Sequence, residues 1–413
     1  MTNGHQLINY IRAVAAIAFR CRAVRCYSSN NSHFYQAVAL QHWLCVFALF
    51  LLPLPVCCLY FECESKTDSM AKKEQEESMV AVVAAVTPAV PLGYRQLGTQ
   101  VAGHTFEASN AAAVGLLQDV GGSEEGRSEG RVFKPLGKPE CGLREIQFYE
   151  SLAAAKSTIA AAVGDVGKAE NAADNDLALL AALAEHVPRY YGQRKLVVNQ
   201  REHTFLQLED LTHGMAKPCV MDVKIGKRTW DPLSSPHKRA IEQQKYVMCK
   251  QNLGLCLPGF QVYQQEQPSG KTILIRHGRD YGKSLNVEGF HQALALFFNV
   301  QPSYANVRQL LREVLRQLRG IHSWFKRQRL LHFYASSLLI CYDFDRLSNP
   351  SSQQNGYHHE PPATPAIKPP DQWIRVRCID FAHIFPAADA QPDENYMFGL
   401  QSLIDIVESM LQR

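Results

Sequence analysis

The sequence predicts a fold that mixes helices and strands, and five segments carry that prediction. Residues 220–225 and 271–276 are predicted strands, and residues 373–385 form a strongly apolar β segment. Residues 304–330 repeat apolar side chains at helical spacing, which predicts an amphipathic helix, and residues 399–411 predict a closing helix. A chain of 413 residues is long enough for one large two-lobed domain or two ordinary ones.

The charge of the chain is modest overall but unevenly distributed. The formal net charge of +4 is too small to indicate a nucleic-acid partner. Residues 224–245 contain six basic and two acidic side chains, a local excess of +4. This window predicts a focused site for a polyanion, although a solvated basic face is the usual explanation of a charge run.

The cysteines argue against a structural zinc site. Six of the twelve lie in the first 63 residues, the other six are scattered singly, and no C-x-x-C pair occurs. Lone cysteines of this kind suit a reducing compartment, where they serve as small apolar side chains.

Residues 1–89 are predicted to be a leader and linker outside the fold. Residues 43–61 carry no charge over 19 positions, which approaches the length of a membrane span, but Pro53 and Pro55 interrupt them. A membrane anchor, a transit peptide and a natural start at Met70 or Met79 are all consistent with this segment. We favour the later start, because the rest of the chain has the character of a protein of the cytoplasm and nucleus.

Three segments of the body are predicted to be irregular. Residues 121–130 are a loop by composition. Residues 152–185 are alanine-rich and predict a helix at each end, with a flexible insert around 164–176 inside the alanine-rich insert 158–177. Residues 347–370 are rich in Ser, Asn, Gln and Pro, which predicts a disordered excursion.

The most specific motif is the run from Pro218 to Gly226, with Asp222 and Lys224 inside it. On a strand, side chains alternate with period two, so Asp222, Lys224 and Gly226 are expected on one face. A carboxylate beside an ammonium group is suited to phosphoryl transfer, because the carboxylate orients and deprotonates a hydroxyl while the ammonium neutralises phosphate charge. Gly226 would let a bulky ligand approach the backbone. An ordinary surface ion pair is the alternative.

A second motif, Ile379-Asp380-Phe381, places an acid in the apolar segment 373–385. A buried carboxylate must be paired or metal-bound, because burying it bare is costly. A single carboxylate at a strand end is a natural Mg²⁺ ligand when nucleotide phosphates supply the other oxygens. A structural Asp that caps a neighbouring turn is the alternative.

These motifs together resemble the inositol polyphosphate kinase family. The resemblance covers residues 101–410 and rests on the PxxxDxKxG pattern of 218–226, on Ser-Ser-Leu-Leu at 336–339, and on Ile-Asp-Phe at 379–381. It implies an α+β, two-lobed fold that is distantly like a protein kinase, with ATP between the lobes. The smaller, β-rich N-lobe would span 90–211 and the C-lobe 212–413.

The resemblance also implies a nucleotide site. Lys134 resembles the strand lysine that holds the ATP phosphates, and Glu145 resembles the helix acid that pairs with it. Residues 208–211 resemble the hinge, in which backbone groups of Glu209 and Leu211 would meet adenine and Asp210 the ribose. ATP and Mg²⁺ are therefore the expected cofactors.

The same resemblance implies an acceptor site. Asp222 and Lys224 resemble the catalytic pair, and Asp380 resembles the metal ligand. Lys245 and His383 resemble substrate-binding residues. Two neighbouring basic residues in the positive window are weaker candidates for the same role: Lys238 and Arg239.

Within the family, the sequence is most similar to the multikinase branch. The next predicted strand begins at Lys271, which leaves no room for the long helical insert of the trisphosphate-specific branch. Inositol trisphosphate and tetrakisphosphate are thus the expected partners, with phosphoinositide headgroups such as phosphatidylinositol 4,5-bisphosphate as further candidates; neither nucleic acid nor a stable oligomer is implied. An inositol hexakisphosphate kinase, an inactive scaffold and a membrane-anchored binding protein are the alternatives.

Overall fold

Two antiparallel five-stranded sheets organise the part of the chain that the structure describes. The structure is a computed structural model, and it describes residues 89–107, 110, 112–120, 130–162, 172–301, 304–348 and 373–412. All of these lie in one of the two units into which the chain divides, the one that contains residues 87–413. The apolar segment 43–61, the loop 121–129 and most of the excursion 347–370 lie outside the described residues.

Twelve strands are present in the described ranges. They are β1 (Tyr94–Gln96), β2 (Leu117–Asp119), β3 (Arg131–Pro135), β4 (Tyr190–Val198), β5 (Arg201–Glu209), β6 (Pro218–Ile225), β7 (Leu255–Gln265), β8 (Thr272–His277), β9 (Leu331–Phe333), β10 (Ser337–Asp343), β11 (Ile374–Ile379) and β12 (Ile384–Pro386).

The strands form two sheets with different roles. The first sheet has the order β1-β2-β3-β5-β4, and the second has the order β11-β10-β6-β7-β8. A two-stranded ribbon joins β9 to β12. The first sheet ends at Glu209 and the second begins at Pro218, so the predicted lobe boundary at residue 211 falls between them. The predicted mixture of helix and sheet is confirmed.

Nine α-helices accompany the strands in the described ranges, with a short 3₁₀ turn at Ala184–His186. They are α1 (Pro139–Ala162), α2 (Ala172–Leu183), α3 (Pro236–Gln244), α4 (Val247–Leu253), α5 (Arg279–Ser284), α6 (Val287–Phe297), α7 (Val307–Arg327), α8 (Phe344–Ser348) and α9 (Glu394–Gln412).

The predicted amphipathic helix, α7, is central to the larger core. Its apolar face is buried from Val307 to Phe325 and packs against α9 and β11. The indole N–H of Trp324 donates to the Leu179 carbonyl at 2.7 Å, which ties α7 to α2. A separate, smaller core fills the first sheet around Leu117, Phe133 and Phe205.

Three details of the sequence prediction were wrong. Residues 172–176 are helical rather than part of a flexible insert, because α2 begins earlier than composition indicated. Leu347 and Ser348 belong to α8, not to an excursion. Residues 279–284 form the short helix α5, in which Lys283 pairs with Asp280. Segment 373–385 is not one strand, since β11 ends at Ile379 and β12 begins at Ile384.

Candidate active site

Lys134 joins three parts of the chain through its ammonium group. It lies on β3, and its Nζ is 2.7 Å from Glu145 Oε1 on α1 and 2.7 Å from Asp380 Oδ1. Glu145 is buried, and its Oε1 also accepts the N–H of Phe381 at 3.0 Å. Burial alone would lower the pKa of Lys134, but the charges of Asp380 and Glu145 raise it above its ordinary value. The lysine is therefore held as a cation.

Asp380 lies just after β11 rather than within it, which corrects its predicted place in a strand. Its backbone is in the left-handed region, with φ of 65°, a conformation that Asp and Asn adopt more readily than most residues. This turn aims the carboxylate at two lysines, with Oδ2 lying 3.3 Å from Lys224 Nζ. Burial would raise the pKa of Asp380, but Lys134 and Lys224 outweigh it and hold the pKa well below its usual range.

Lys224 and Asp222 lie on β6 in register with β10, where Ser337 pairs with Lys224 and Leu339 with Asp222. Lys224 Nζ donates to Ala335 O at 3.0 Å and to Ser337 Oγ at 3.1 Å. The charge of Lys224 lowers the pKa of Asp222, and the charge of Asp222 raises the pKa of Lys224. The structure thus brings Asp222, Lys224, Asp380 and Lys134 into one cluster, which we call the charged centre.

Asp222 is the buried member of the charged centre. Burial raises its pKa to about 6, against the opposing charge of Lys224. Its Oδ1 has no hydrogen-bond partner among the described residues. A buried carboxylate oxygen without a partner is costly, so one expects a ligand to use it. Sequence reasoning missed Ser337, whose signal was present in the Ser-Ser-Leu-Leu run.

A second polar pair lies at the start of β12. His383 Nδ1 is 2.5 Å from Asp231 Oδ2, and Ser234 Oγ donates to Asp231 Oδ1 at 3.0 Å. Burial lowers the pKa of His383 although Asp231 opposes it. Asp231 was not among the predicted site residues, yet its spacing to Ser234 was a signal for such a turn. The structure therefore adds a buried acid to the predicted histidine.

The predicted hinge residues lie where β5 leaves the first sheet. Glu209 ends β5, and its N–H donates to Arg189 O at 2.9 Å. Leu211 is buried, and its carbonyl accepts from the Arg375 guanidinium at 2.6 Å. These backbone groups lie at the start of the segment that connects β5 of the first sheet to β6 of the second.

Asp210 has contacts that do not favour the predicted ribose contact. It is 2 % exposed. Its Oδ1 accepts the N–H and the hydroxyl of Thr212 at 2.8 and 2.7 Å, and its Oδ2 accepts from Gln118 at 2.7 Å. A carboxylate held in this way stabilises the turn after β5, because all of its bonds stay within the protein.

The basic candidates of the positive window fall into two groups. Lys245 follows α3, and its Nζ is paired with Glu242 at 2.6 Å. Lys238 is exposed on α3, and its charge lowers the pKa of both Asp231 and His383, which places it beside that pair. Arg239 instead braces the loop before α3, since it donates to Ser234 O and Pro232 O at 2.8 and 2.9 Å.

Gly226 has a structural role besides the one predicted. Its φ is +108°, and a Cβ at this position would collide with the Asn395 side chain. Its N–H donates to Gly254 O at 2.8 Å. Glycine is therefore required by the backbone turn and by the packing of α9.

The donor set fits a metal ion only in company with a ligand. In the described residues, no group of three or more His, Cys, Asp or Glu side chains could hold a metal ion. Asp380 and Asp222 offer two carboxylates, one of them with an unpartnered oxygen. Mg²⁺ is commonly bound by one or two carboxylates with substrate phosphates completing its shell, so the residues fit an ion that arrives with a nucleotide.

Comparison with known proteins places this site in a family context. Residues 205–408 match the family model described as inositol polyphosphate kinase. The chain is 32% identical over 260 residues to mouse inositol polyphosphate multikinase, covering 62% of this chain and 56% of that protein. It is 34% identical over 223 residues to human inositol hexakisphosphate kinase 3, covering 51% of this chain and 52% of that protein. The chain thus spans about half the length of the curated relatives it matches.

Among solved structures, the chain is similar to the inositol phosphate multikinase Ipk2 of S. cerevisiae, crystallised with ADP and Mn²⁺. The identity is 23% and the TM-score 0.47, over 68% of this chain and 99% of that one. Separately, none of the helices in the described ranges is long and apolar enough to cross a membrane.

Proposed function

Because the chain is a member of the inositol polyphosphate kinase family, we propose that it transfers the γ-phosphate of ATP to hydroxyls of inositol trisphosphate and tetrakisphosphate. One observation carries the proposal. The structure assembles Lys134 and Glu145, which lie outside the matched range 205–408, with Lys224 and Asp380 inside it, and it sets an unpartnered oxygen of Asp222 beside them. Phosphoryl transfer needs this combination of fixed positive charge and a base.

The residues of the charged centre divide the chemistry between them. Lys134 holds the nucleotide phosphates, and Glu145 keeps its ammonium in place. Asp222 orients the acceptor hydroxyl and takes its proton, which its raised pKa favours. Lys224 neutralises charge on the moving phosphoryl group. Asp380 would hold Mg²⁺, which supplies charge neutralisation on the phosphates when bound.

The remaining candidates define the two ends of the site. Backbone groups of Glu209 and Leu211 bind adenine between the sheets, which leaves Asp210 to stabilise the turn. His383, Lys238 and Lys245 contact phosphates of the acceptor, a role that their position next to Asp231 and α3 supports. Arg239 is the weakest of the four basic candidates, since its Nε and Nη2 already donate to backbone carbonyls.

The open acceptor side favours a multikinase over a trisphosphate-specific enzyme. The sequence prediction that the next strand after β6 begins at Lys271 was wrong, because β7 begins at Leu255. Only two short helices, α3 and α4, separate β6 from β7. A site without a long insert admits several orientations of the substrate and has room for the headgroup of phosphatidylinositol 4,5-bisphosphate. The similarity to human inositol hexakisphosphate kinase 3 keeps hexakisphosphate as the second candidate acceptor.

The cysteines support a place for the enzyme in the cytoplasm and nucleus. All six cysteines in the described ranges are free thiols, and five of them are buried. Buried free thiols are typical of proteins from reducing compartments.

A side-by-side turnover assay tests the proposal. The full chain is incubated with ATP and Mg²⁺ and, in parallel, with inositol trisphosphate, inositol hexakisphosphate or vesicles that contain phosphatidylinositol 4,5-bisphosphate. We expect rapid phosphorylation of the trisphosphate and none or little of the hexakisphosphate. The reverse preference would assign the chain to the second candidate function. Turnover of neither, with ATP bound, would leave a non-catalytic binding protein.

A further inference from the structure

A stack of arginine and aromatic side chains lies beside the charged centre and has no part in the chemistry described so far. Arg228 follows β6, and its guanidinium carbon lies 3.8 Å from the centroid of the Trp230 ring and 4.7 Å from that of Tyr334. Arg239 lies over the same Trp230 ring at 4.8 Å. Such ring contacts attract a guanidinium and restrict its orientation, so little entropy remains to be lost when it binds a ligand.

The hydrogen bonds of Arg228 fix its backbone and stem but leave its outer nitrogens unused. Its N–H donates to Asn395 Oδ1 at 2.7 Å, and its Nε donates to Trp230 O at 3.0 Å. Within the described ranges, neither Nη1 nor Nη2 of Arg228 takes part in a hydrogen bond or an ion pair. Arg239 differs, because its Nε and Nη2 are both committed to carbonyls of the loop before α3. Arg239 is therefore structural, whereas Arg228 presents Nη1 and Nη2 to a ligand.

The position of Arg228 is on the acceptor side of the charged centre. Tyr334, which it covers, is the neighbour of Ala335, whose carbonyl accepts from Lys224 Nζ at 3.0 Å. The N–H of Tyr334 donates to His383 O at 3.1 Å. Arg228 therefore lies near Lys224 of the second sheet and near His383, whereas Lys134 comes from the first sheet.

The charges around Arg228 favour an anion. The carboxylates that act on Tyr334, and so lie near the stack, are Asp393 and Asp231. Asp231 is already bonded to His383 and Ser234, and Asp393 to the N–H groups of Phe333 and Tyr396. Both acids are thus already hydrogen-bonded, and within the described residues neither is a hydrogen-bond partner of Arg228, whose N–H and Nε donate to Asn395 and Trp230.

We propose that Arg228 binds one phosphate of the acceptor through Nη1 and Nη2 and thereby selects which phosphorylated inositols the enzyme accepts. The fork of a guanidinium matches two phosphate oxygens, which a lysine at the same place could not do. The inference rests on the proposed function for the identity of the acceptor, and on the structure for the site itself.

Calorimetric binding to wild type, Arg228→Lys and Arg228→Met tests this inference. The ligands are inositol trisphosphate and the three inositol bisphosphates obtained by removing one phosphate at a time. We expect Arg228→Met to weaken trisphosphate binding by about 10- to 100-fold, as for the loss of charge-assisted hydrogen bonds. For the one bisphosphate that lacks the bound phosphate, wild type and Arg228→Met should bind equally. For inositol trisphosphate, the affinity of Arg228→Lys should lie between those of wild type and Arg228→Met.

The controls separate this inference from the proposed function and from misfolding. Arg316→Lys alters an exposed arginine on α7 that is paired with Glu313 at 2.6 Å, and it should change nothing. Each variant should keep the melting temperature of wild type and its affinity for ATP. Equal losses for all four ligands, no loss at all, or a wild type that binds none of them would overturn the inference. If the four ligands bind as expected and the effect of Arg228→Met depends on the one phosphate, but no ligand is turned over, the proposed function alone would be overturned.

Discussion

Asp222 should give the enzyme an acid limb in its pH profile. Its pKa is raised from 3.8 to about 6, so the carboxylate is charged above that pH and protonated below it. A base that carries a proton cannot accept another, and turnover should therefore fall about tenfold per pH unit well below pH 6. The pH dependence of kcat/KM measures this directly. A rate that is flat from pH 5 to pH 8 would contradict the role of Asp222 as the base.

The same carboxylate should cost stability in a defined pH window. Because its pKa is higher in the folded chain than its ordinary value of 3.8, the folded state binds the proton more tightly, and stability is lost as the pH rises from about 4 to about 6. Asp222→Asn removes this cost and should be more stable than wild type at pH 7, by up to about 3 kcal/mol at 1.4 kcal/mol per pKa unit. Urea unfolding at pH 4 and pH 7 tests it: the gain should nearly vanish at pH 4.

Asp222 and Lys224 should act as one unit in catalysis. We expect Asp222→Asn to lower kcat by about 10²- to 10⁴-fold, the usual effect of removing a general base. Lys224→Ala should also lower kcat more than it raises KM for ATP, and the double variant should lose much less than the sum of the two free energies. Steady-state kinetics of the four proteins completes the cycle. Strict additivity would show that the two residues serve separate steps.

At the scale of elements, the connection from β6 to α3 depends on Gly226. Gly226→Ala should destabilise the protein, because a positive φ costs an alanine about 1–2 kcal/mol and its Cβ meets Asn395. In an Asn395→Ala background the collision is removed and only the backbone cost should remain. Urea unfolding of the two single variants and the double variant separates the terms. Equal costs in both backgrounds would place the strain entirely in the backbone.

The same element shows how far sequence reasoning reached. The strand β6, the helices α7 and α9, and the placement of the two candidate catalytic residues on β6 could be predicted because period and motif agree there. The strand β7 could not, since Pro258 and Gly259 lie inside it and argue against a central strand. It is buried on both faces, so it lacks the alternation that marks a half-exposed strand. Its place between β6 and β8 is set by tertiary packing.

The candidate site could be predicted only in part, because it too depends on tertiary contacts. Lys134, Glu145 and Asp380 were identified through resemblance, but their mutual distances depend on residues more than 200 positions apart. The turn at Asp380 was missed because a left-handed residue leaves no mark in an apolar pattern. Asp231 and Ser337 were missed because each acts through a partner, His383 and Lys224, that lies on another element.

At the scale of the whole molecule, nucleotide binding should stabilise the fold through Lys134. A ligand present at 100 times its Kd stabilises the folded state by about 2.7 kcal/mol, which corresponds to a rise of several degrees in Tm. We expect ATP with Mg²⁺ to raise the Tm of wild type and to leave that of Lys134→Met unchanged. Lys283→Met is the matched control, since Lys283 lies on the short helix α5 and forms an exposed ion pair with Asp280. If ATP with Mg²⁺ instead failed to raise the Tm of Lys283→Met, the nucleotide would bind at α5.

The left-handed turn at Asp380 bears on how this chain can drift in evolution. Glycine there would relax a backbone strain of about 1 kcal/mol, but it would remove the carboxylate that two partly buried lysines share, at a cost of about 3–5 kcal/mol. Asparagine would also suit the backbone, but its neutral amide would not neutralise the charges of Lys134 and Lys224. A lineage that abandoned catalysis would thus gain nothing by losing Asp380 first. Degenerate copies of this enzyme should instead show Lys134 and Asp380 replaced as a pair, a signature that sequence surveys can look for.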